Sequence, residues 1–480
     1  MKKFLYLFLA LSFSFSFSSC TKENEEVAEI NESIISSPQK VFISEVDTDS
    51  IVDSQKALRV ADMFTKFRNQ SRGILREVEN IRDVKDDNGN VLFFIINYTN
   101  NNGFVIVSAN QNYIPILAFS DSGYFQLDED INNGSALWVQ QQKNILEHAY
   151  SLQQDLKLQY RDLWSIYNTK TIELELSRSD DDVYLLISNA IIKWRQQGYE
   201  VFRYSEINNT QFFNDLPTNF KNAVRNAVDS AHPDYGGRNQ NTFILRRRND
   251  NMEKIGPMTQ TKWGQGLGFN EFIPNNCPVG CVAVAMGQIM KYHEYPKSYS
   301  WDMMDNIYPS SVTAQFLYEI GKNVNMEYKP EGSSSNINNA LNSFKTNYGY
   351  SDAKIIDHSD TEVVQQLLKY RPVYMRGVDD NRNIGHAWVC DGFVSTSPRN
   401  EYALYILEDT YNSSEPTELS YIYIYSTEGP ILATSLLLSY NWGWNGLNDG
   451  FFYTPEVDVS GAEYNFSKDR KEIINIYPVK

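Results

Sequence analysis

The stretch that decides the fold reads Cys277-Pro-Val-Gly-Cys281-Val-Ala-Val-Ala-Met-Gly-Gln-Ile-Met-Lys-Tyr-His-Glu-Tyr-Pro296. Behind Cys281, apolar residues such as Val282, Ala285 and Ile289 recur at helical spacing, and the closing proline ends the element. The stretch therefore predicts a buried helix that begins at a cysteine. The positive end of a helix dipole favours the thiolate, which is the nucleophilic form of cysteine. Cys281 is thus a candidate nucleophile.

Length and charge limit the classes of protein that the chain can represent. Its 480 residues indicate two or three domains, and a hydrophobic content of 42% is that of a globular chain. Lys plus Arg number 43 and Asp plus Glu number 60, which gives a net charge of −17. This acidic balance argues against nucleic acids and anionic membranes as partners, because both require basic patches.

The N-terminus predicts export. A short basic start, Met1-Lys2-Lys3, precedes an apolar run from Phe4 to Phe17 that is too short to span a bilayer comfortably. Cys20 follows small residues and precedes a polar, acidic segment, as in a bacterial lipobox. We therefore expect a lipidated Cys20 that anchors the protein at the outer membrane or cell surface of a bacterium. An ordinary secretory signal with a released product is the alternative.

The cysteines form no disulfide framework and no metal site. Without the lipidated cysteine, only Cys277, Cys281 and Cys390 remain, an odd number. Five scattered histidines and these thiols do not form a zinc cluster, so neither a metal nor an organic cofactor is expected. Cys277 is either a plain buried thiol or the partner in a reversible disulfide that protects Cys281.

The N-terminal half has patterns of secondary structure but no catalytic constellation. A helix is predicted over 54–67, strands over 91–98 and 104–108, and a further strand with its turn over 115–123, which together indicate a small α+β unit. Two long amphipathic helices are predicted between 135 and 198. The polar region behind them ends in Arg246-Arg247-Arg248, which is either a protease-sensitive boundary or a solvated loop.

The C-terminal half supplies the partners that a thiolate needs. His386 opens an apolar strand, and it is the one histidine of five in a plausible position for a general base. Gln265 can donate a hydrogen bond to a developing oxyanion. Asn441 can accept the imidazole N–H, and the adjacent Trp442 can shield that bond from water. Each of these residues alone is weak evidence for a catalytic site. Their combination and their order along the chain are what indicate one.

These motifs resemble the streptopain family of papain-like cysteine peptidases. The resemblance lies in the nucleophile helix 280–296, the histidine strand 385–392 and the tryptophan motif 441–444, and it covers about 250–480. Residues 104–123 resemble the family's inhibitory pro-domain, within a match over about 45–130. The resemblance implies a zymogen whose pro-domain holds the histidine or the cleft inactive until proteolysis.

The resemblance also implies roles for individual residues. Cys281 would be the nucleophile, His386 the base, Gln265 the oxyanion donor, and Asn441 with Trp442 the supports of the histidine. Family members cut protein chains with a broad preference for an apolar residue two places before the scissile bond. Residues that would bind the substrate are Gly332, Ser333, Ser334, Ser335 and Gly385.

The expected architecture is therefore α+β, with a papain-like peptidase domain behind a small α+β pro-domain and a helical linker region. Between His386 and Asn441 the chain is longer than is usual in the family, and an insert at about 394–438 is expected to form an extra hairpin by the cleft. The predicted segments are a signal peptide at 1–19, a lipidated tether at 20–40, the pro-domain at 41–135, the linker region at 136–249 and the peptidase domain at 250–480.

Two other functions remain open. A catalytically silent surface lipoprotein could use the same fold as a binding module, although such a module has no reason to keep Cys281, His386, Gln265 and Asn441-Trp442 together. A transglutaminase-like acyl transferase could use the same cysteine and histidine. Protein or peptide substrates and the chain's own pro-domain are the expected partners of the peptidase, together with a membrane through the lipid.

Overall fold

A computed structural model describes most of the chain. The described residues are 40–46, 51–68, 76–127, 134–149, 157, 160, 163–164, 167, 169–175, 182–234, 236–379, 384–407, 421–431, 434–454 and 470–478. The predicted signal peptide and Cys20 lie outside them. Within these residues, no helix has the length and apolar character needed to cross a membrane.

The N-terminal unit is a sheet covered by helices on both faces. Helix α1 packs on one face of strands β3 to β5, and α2 packs on the other. Because both faces are covered, these strands have nearly continuous apolar sequences. The elements of the unit are α1 (Ser54–Arg68), β2 (Val78–Lys85), β3 (Val91–Tyr98), β4 (Phe104–Ser108), β5 (Ile116–Ser120) and α2 (Gly134–Glu147). The strands β1 (Lys40–Val46) and β6 (Thr169–Glu175) pair with each other in a separate two-stranded sheet.

The core of the predicted peptidase domain packs three helices, α7 (Cys281–His293), α8 (Ser311–Asn323) and α9 (Ile337–Thr346), on one face of an antiparallel sheet. Its other elements are β9 (Lys354–Asp357), α10 (Asp360–Leu367), β10 (Val373–Asp379), β11 (Ile384–Leu407), β13 (Ser435–Asn441), β14 (Gly450–Phe452) and β15 (Lys471–Ile474).

One sheet joins this core to the N-terminal unit. The strand order is β2-β3-β4-β5-β14-β13-β11-β10-β15-β9, and the join is made where Ala118 and Phe119 pair with Phe452 and Phe451. The rings of Phe119 and Phe451 stack with their centroids 4.9 Å apart. The α+β class predicted from the sequence is confirmed.

A third body, which we call the accessory lobe, is built from residues 182–255 and 394–431. Its sheet has the order β7-β8-β11-β12, to which β11 contributes its second half. Helix α3 covers one face, and α4 to α6 cover the other. The remaining elements are α3 (Asp182–Gln196), β7 (Glu200–Arg203), α4 (Tyr204–Ile207), α5 (Gln211–Asp215), α6 (Thr218–Val228), β8 (Thr242–Ile255) and β12 (Tyr421–Ile431).

The accessory lobe changes the interpretation of two sequence segments. The region 136–249, expected to be helical, also contains β7 and most of β8. The three arginines at 246–248 lie in β8 rather than in a loop. All three pair with β11, and Arg246 also pairs with β7 on the other side. Arg246 binds Glu200 at 2.5 Å and Arg247 binds Glu401 at 2.8 Å. A strand paired within a sheet is a poor protease site, because cleavage requires an accessible, extended chain.

The first long helix is also shorter than the sequence indicates. The apolar period runs from 135 to 164, but α2 ends at Glu147. Beyond it, Trp164 is fully buried and donates from Nε1 to the carbonyl of Tyr113 at 2.7 Å. Of the residues described beyond α2, 157, 160, 163 and 164 are again helical, and Tyr160 and Leu163 belong to the same core cluster as α2. The hairpin expected in the insert is present as β11 and β12.

Trp194 holds α3 on the accessory sheet, and its removal is expected to destabilise the lobe. Its ring packs against Phe243, Tyr405 and Tyr421, with centroid distances of 5.0–5.5 Å. We expect Trp194→Ala to cost about 3–5 kcal/mol of unfolding free energy, the usual loss for a buried tryptophan. Urea unfolding measures it. The exposed Lys193→Ala on the same helix is the control, and equal midpoints for the two variants would contradict the packing described.

Candidate active site

Helix α7 begins at Cys281 because the preceding residue can be only glycine. Gly280 has a φ of 95°, and a Cβ there would lie 2.7 Å from Sδ of Met326. The helix ends at His293, where Glu294 adopts a left-handed conformation. The thiol therefore stands at the first residue of a buried helix, as the sequence predicts, with the free N–H groups of the first turn beside it.

His386 lies near the start of β11, and its imidazole is bound by a main-chain carbonyl. Nε2 is 3.0 Å from the carbonyl oxygen of Trp442. Because a carbonyl only accepts, Nε2 must carry the proton, which leaves Nδ1 of the neutral ring as a proton acceptor. Burial lowers the pKa of His386 to about 4, against the opposing effect of the Trp442 carbonyl. The ring is therefore a neutral base at physiological pH.

The thiol of Cys281 lies beside the same strand. Cys281 is partly buried and packs against the core cluster that contains Tyr374, Ala387 and Val389. Burial raises the pKa of the Cys281 thiol, although main-chain hydrogen bonds from Ala387 and Val282 oppose the shift. Ala387 directly follows His386, so the thiol packs against the strand that carries the imidazole, although the imidazole ring lies with Trp388 on the other face of that strand. In the described part of the chain, no hydrogen bond joins the thiol to the imidazole, and the thiol is protonated at neutral pH.

This protonated thiol predicts a slow, pH-dependent alkylation of the intact chain. Thiolate is the reactive form, so the rate at Cys281 should rise with pH through and beyond the range of an ordinary cysteine. Iodoacetamide labelling between pH 6 and 10, with mass-spectrometric mapping, measures this profile. A rate that already reaches its plateau at pH 7 would show a thiolate and contradict the raised pKa.

Asn441 does not contact the imidazole, although the sequence suggests that bond. Its Nδ2 donates to the carbonyl of Thr261 at 2.7 Å, and its Oδ1 accepts from Gln288 Nε2 at 3.0 Å and from the N–H of Gly443 at 3.1 Å. The reason is strand alternation. Asn441 pairs with Val389 on the face that meets α7, whereas the ring of His386 stacks with Trp388 on the opposite face.

The main chain of Trp442 takes the role that the sequence suggests for Asn441. Its carbonyl binds His386, and its N–H donates to Asp449 Oδ1 at 2.8 Å. The indole is 2% exposed and packs against Trp388, Tyr440 and Phe452, and its ring centroid lies 6.3 Å from that of His386. Its role as a shield of the imidazole remains a prediction. Burial raises the pKa of Asp449 to about 7, against the opposing N–H of Trp442.

Three polar groups that hold the site together were not identified from the sequence. Thr261 and Gln288 connect Asn441 to the segment before Gln265 and to the nucleophile helix. Asp449 fixes the tryptophan loop. The only sequence signal for Gln288 is a lone amide within an apolar helix, and Asp449 stands in an Asn-Asp-Gly stretch that resembles an ordinary turn.

Gln265 lies alongside the start of α7. Its carbonyl accepts the N–H of Val279 at 2.9 Å, two residues before Cys281, and Gln265 is 7% exposed. The N–H of Asn445, in the tryptophan loop, donates to the carbonyl of Trp263 at 3.3 Å. The segment around Gln265 is thus held between the nucleophile helix and the loop that binds His386.

The residues expected to bind substrate divide into two groups. Ser333 donates to the carbonyl of Pro278 at 2.6 Å, and its Cβ lies against Gly280, next to the nucleophile. Gly385 is exposed and precedes His386. In contrast, Ser334 pairs through its main chain with Glu327, and Ser335 donates to the carbonyl of Val324. Gly332 has open space around it and a φ of 153°. Their roles in binding remain predictions.

Cysteine pairing and metal binding have no support among the residues that the structure describes. Cys277, Cys281 and Cys390 are free thiols, and Cys277 is buried in the core cluster beneath α7. Nowhere in the described ranges do three or more His, Cys, Asp or Glu side chains gather as a metal site would require.

Comparisons with known proteins agree with this arrangement. Residues 263–452 match the Peptidase C10 family, and residues 49–146 match the Spi protease inhibitor family. The chain is 24% identical over 261 residues to streptopain of Streptococcus pyogenes, a match that covers 44% of this chain and 55% of streptopain. It is 24% identical over 266 residues to the thiol protease/hemagglutinin PrtT of Porphyromonas gingivalis, covering 45% of this chain and 26% of that protein.

The chain thus spans about half the length of streptopain, and less of PrtT. A solved fragment of Prevotella intermedia prointerpain A shares 18% identity with a TM-score of 0.43, and the match covers 85% of this chain and all of that fragment. The chain is thus similar to the Peptidase C10 family through residues 263–452, and the region ahead of that match is similar to the Spi protease inhibitor family.

Proposed function

We propose that the chain is the precursor of a cysteine endopeptidase. The observation that carries the proposal is a thiol at the start of a helix that packs against the strand carrying a neutral histidine, whose Nδ1 is free to accept a proton. The names of the similar proteins, streptopain and a thiol protease, support the same class.

The chemistry follows from these groups. Nδ1 of His386 takes the thiol proton, and the thiolate of Cys281 attacks the peptide carbonyl. Gln265 and the N–H of Cys281 stabilise the oxyanion, and the imidazolium protonates the leaving amine. Water, deprotonated by His386, then hydrolyses the thioester. The carbonyl of Trp442 holds the tautomer and stabilises the imidazolium, as a carboxylate or amide does in other triads.

The N-terminal unit is proposed to hold this site inactive. Gly134 at the start of α2 packs directly on His386 and Trp442: a Cβ there would lie 2.5 Å from Cδ2 of His386 and 2.2 Å from the indole of Trp442. Only a residue without a side chain fits between them. While α2 stays in place, it limits rotation of the imidazole towards Cys281.

Further bonds fasten the N-terminal unit to the tryptophan loop. The side chain of Asn448 accepts from the N–H of Gln126 at 2.8 Å and donates to the carbonyl of Gln126 at 3.0 Å and to Ser135 at 2.8 Å. Trp138 donates to the carbonyl of Tyr453 at 3.0 Å. Release of the unit would therefore free both the cleft and the loop that carries Trp442.

We further propose that the precursor is exported and anchored by lipid at Cys20. The support is the N-terminal sequence alone, because those residues lie outside the described ranges. Radiolabelled palmitate supplied to expressing bacteria would enter the chain and be lost in Cys20→Ser. Equal labelling of the two proteins would remove lipidation at this residue while leaving the peptidase proposal untouched.

Inhibitor class tests the proposed chemistry. Casein turnover by the proteolytically processed chain, under reducing conditions, should be abolished by a peptidyl epoxide that alkylates active-site thiols and should be unaffected by a metal chelator. Turnover that survives the epoxide, or no turnover under any reducing condition, would refute a cysteine peptidase. The second result would favour the binding module.

A further inference from the structure

Arg376 occupies the face of β10 that meets the nucleophile helix. It pairs directly with Ala387 of β11, and Tyr374, two residues earlier, pairs with Val389. Residues directly opposite each other in an antiparallel pair project on the same side of the sheet. Because Tyr374, Ala387 and Val389 all belong to the core cluster against which Cys281 packs, Arg376 projects on the side of the thiol.

The guanidinium of Arg376 lacks a partner within the described residues. The side chain is partly buried, but neither a hydrogen bond nor an ion pair involves it there. On the neighbouring strand β15, Lys471 lies directly opposite Arg376. This lysine is paired with Asp357, with Nζ 2.5 Å from Oδ1. Other arginines of the chain do bind a carboxylate, as in Arg76, Arg246, Arg247 and Arg399.

A partly buried guanidinium that has no partner among the described residues is costly to fold and suited to a ligand. Removing arginine from water without a counter-charge is unfavourable, so such a group is usually paired or binds a partner. Its planar set of donors fits a carboxylate with two parallel hydrogen bonds. The positive charge also reaches the reacting atom, because Arg376 lowers the pKa of the Cys281 thiol, although burial outweighs it.

We propose that Arg376 binds a carboxylate side chain of the substrate, so that the enzyme prefers polypeptides with Asp or Glu close to the scissile bond. This inference rests on the proposed peptidase function and names its substrate class. It departs from the apolar preference that the resemblance alone implies. The bound carboxylate would give Arg376 the counter-charge that it does not find among the described residues.

A simpler role for Arg376 would be to favour the thiolate. The two roles differ in what they change. A charge that acts only on Cys281 alters kcat/KM for every substrate by the same factor. It also shifts the acidic limb of the plot of kcat/KM against pH. A carboxylate site alters the ratio between acidic and neutral substrates and leaves neutral ones nearly unaffected.

Matched fluorogenic peptides that differ only by Glu or Gln, placed in turn at each of the four positions around the cleaved bond, test the proposal. With the full chain after limited proteolysis, we expect the Glu peptide to be favoured about 10- to 150-fold in kcat/KM at one position, the range for a charge-assisted hydrogen-bonded pair. Arg376→Gln should reduce that ratio to about one, and Arg376→Lys should keep part of it. Lys471→Gln is the control and should retain it.

Each result decides the question. Turnover by the parent without any acidic preference would overturn the role of Arg376 and leave the peptidase proposal standing. An equal loss on Glu and Gln peptides in Arg376→Gln, with a shifted pH profile, would assign Arg376 to the thiolate instead. Failure of the parent to cleave any peptide would remove both proposals.

Discussion

Replacement of Cys281 by alanine is expected to lower kcat/KM on the order of a million-fold, the loss seen when a catalytic nucleophile is removed. The physical reason is that no other group near His386 can form the acyl-enzyme. Among the described cysteines, Cys390 and Cys277 are buried to 0% and 3% exposure, whereas Cys281 is the more exposed and begins helix α7. Steady-state cleavage of casein or a peptide by the processed chain measures the effect.

Cys277 provides a matched control four residues away. Its thiol lies in the apolar cluster beneath α7, outside the helix, and is free. Cys277→Ala removes one buried sulfur atom, so it should cost about 1 kcal/mol of stability and little activity. Loss of turnover in Cys277→Ala with retention in Cys281→Ala would mean that the wrong thiol has been assigned. Loss in both would implicate packing around the helix start.

Replacement of Gly134 by alanine is expected to raise the activity of the intact precursor. A methyl group at this position overlaps both His386 and Trp442, and such overpacking costs about 1–3 kcal/mol. If that energy opposes docking of the N-terminal unit, the open form becomes about 5- to 150-fold more populated. Alanine favours helix over glycine by up to about 1 kcal/mol, so the change does not weaken α2 itself.

The readout for Gly134→Ala is peptide turnover by the uncleaved chain, with the exposed Glu147→Ala on the same helix as the control. Activity after processing should match the parent in both variants if the N-terminal unit is removed. Latency equal to that of the parent in Gly134→Ala would show that the contact on His386 does not restrain the enzyme.

The sequence predicts the catalytic elements because they depend on local patterns. The helix at Cys281 follows from apolar spacing and a closing stop signal, and the structure begins α7 at that residue. The strands 91–98 and 104–108 are predicted from runs of apolar residues, and they match β3 and β4 to the residue. His386 was selected because its four alternatives lie in unsuitable places. His293, for example, is directed to the carbonyl of Ile476 at the far end of α7.

The features that the sequence does not predict depend on pairing between residues that are far apart in the chain. The accessory lobe joins a segment before the peptidase core to an insert within it, and residues 244 and 404 that pair in its sheet are 160 positions apart. Neither half has a pattern that identifies the other. The choice between Asn441 and the Trp442 carbonyl likewise depends on which face of β13 meets α7, and adjacent residues in a strand face opposite sides.

One measurement tests the central claim most directly. The rate of peptide hydrolysis is followed for the parent and for Cys281→Ala, each before and after limited proteolysis that removes the N-terminal unit. We predict that the intact parent is nearly silent, that the cleaved parent is active and that Cys281→Ala is silent in both forms. Equal activity of intact and cleaved parent, or activity in the cleaved Cys281→Ala chain, would contradict a latent cysteine peptidase.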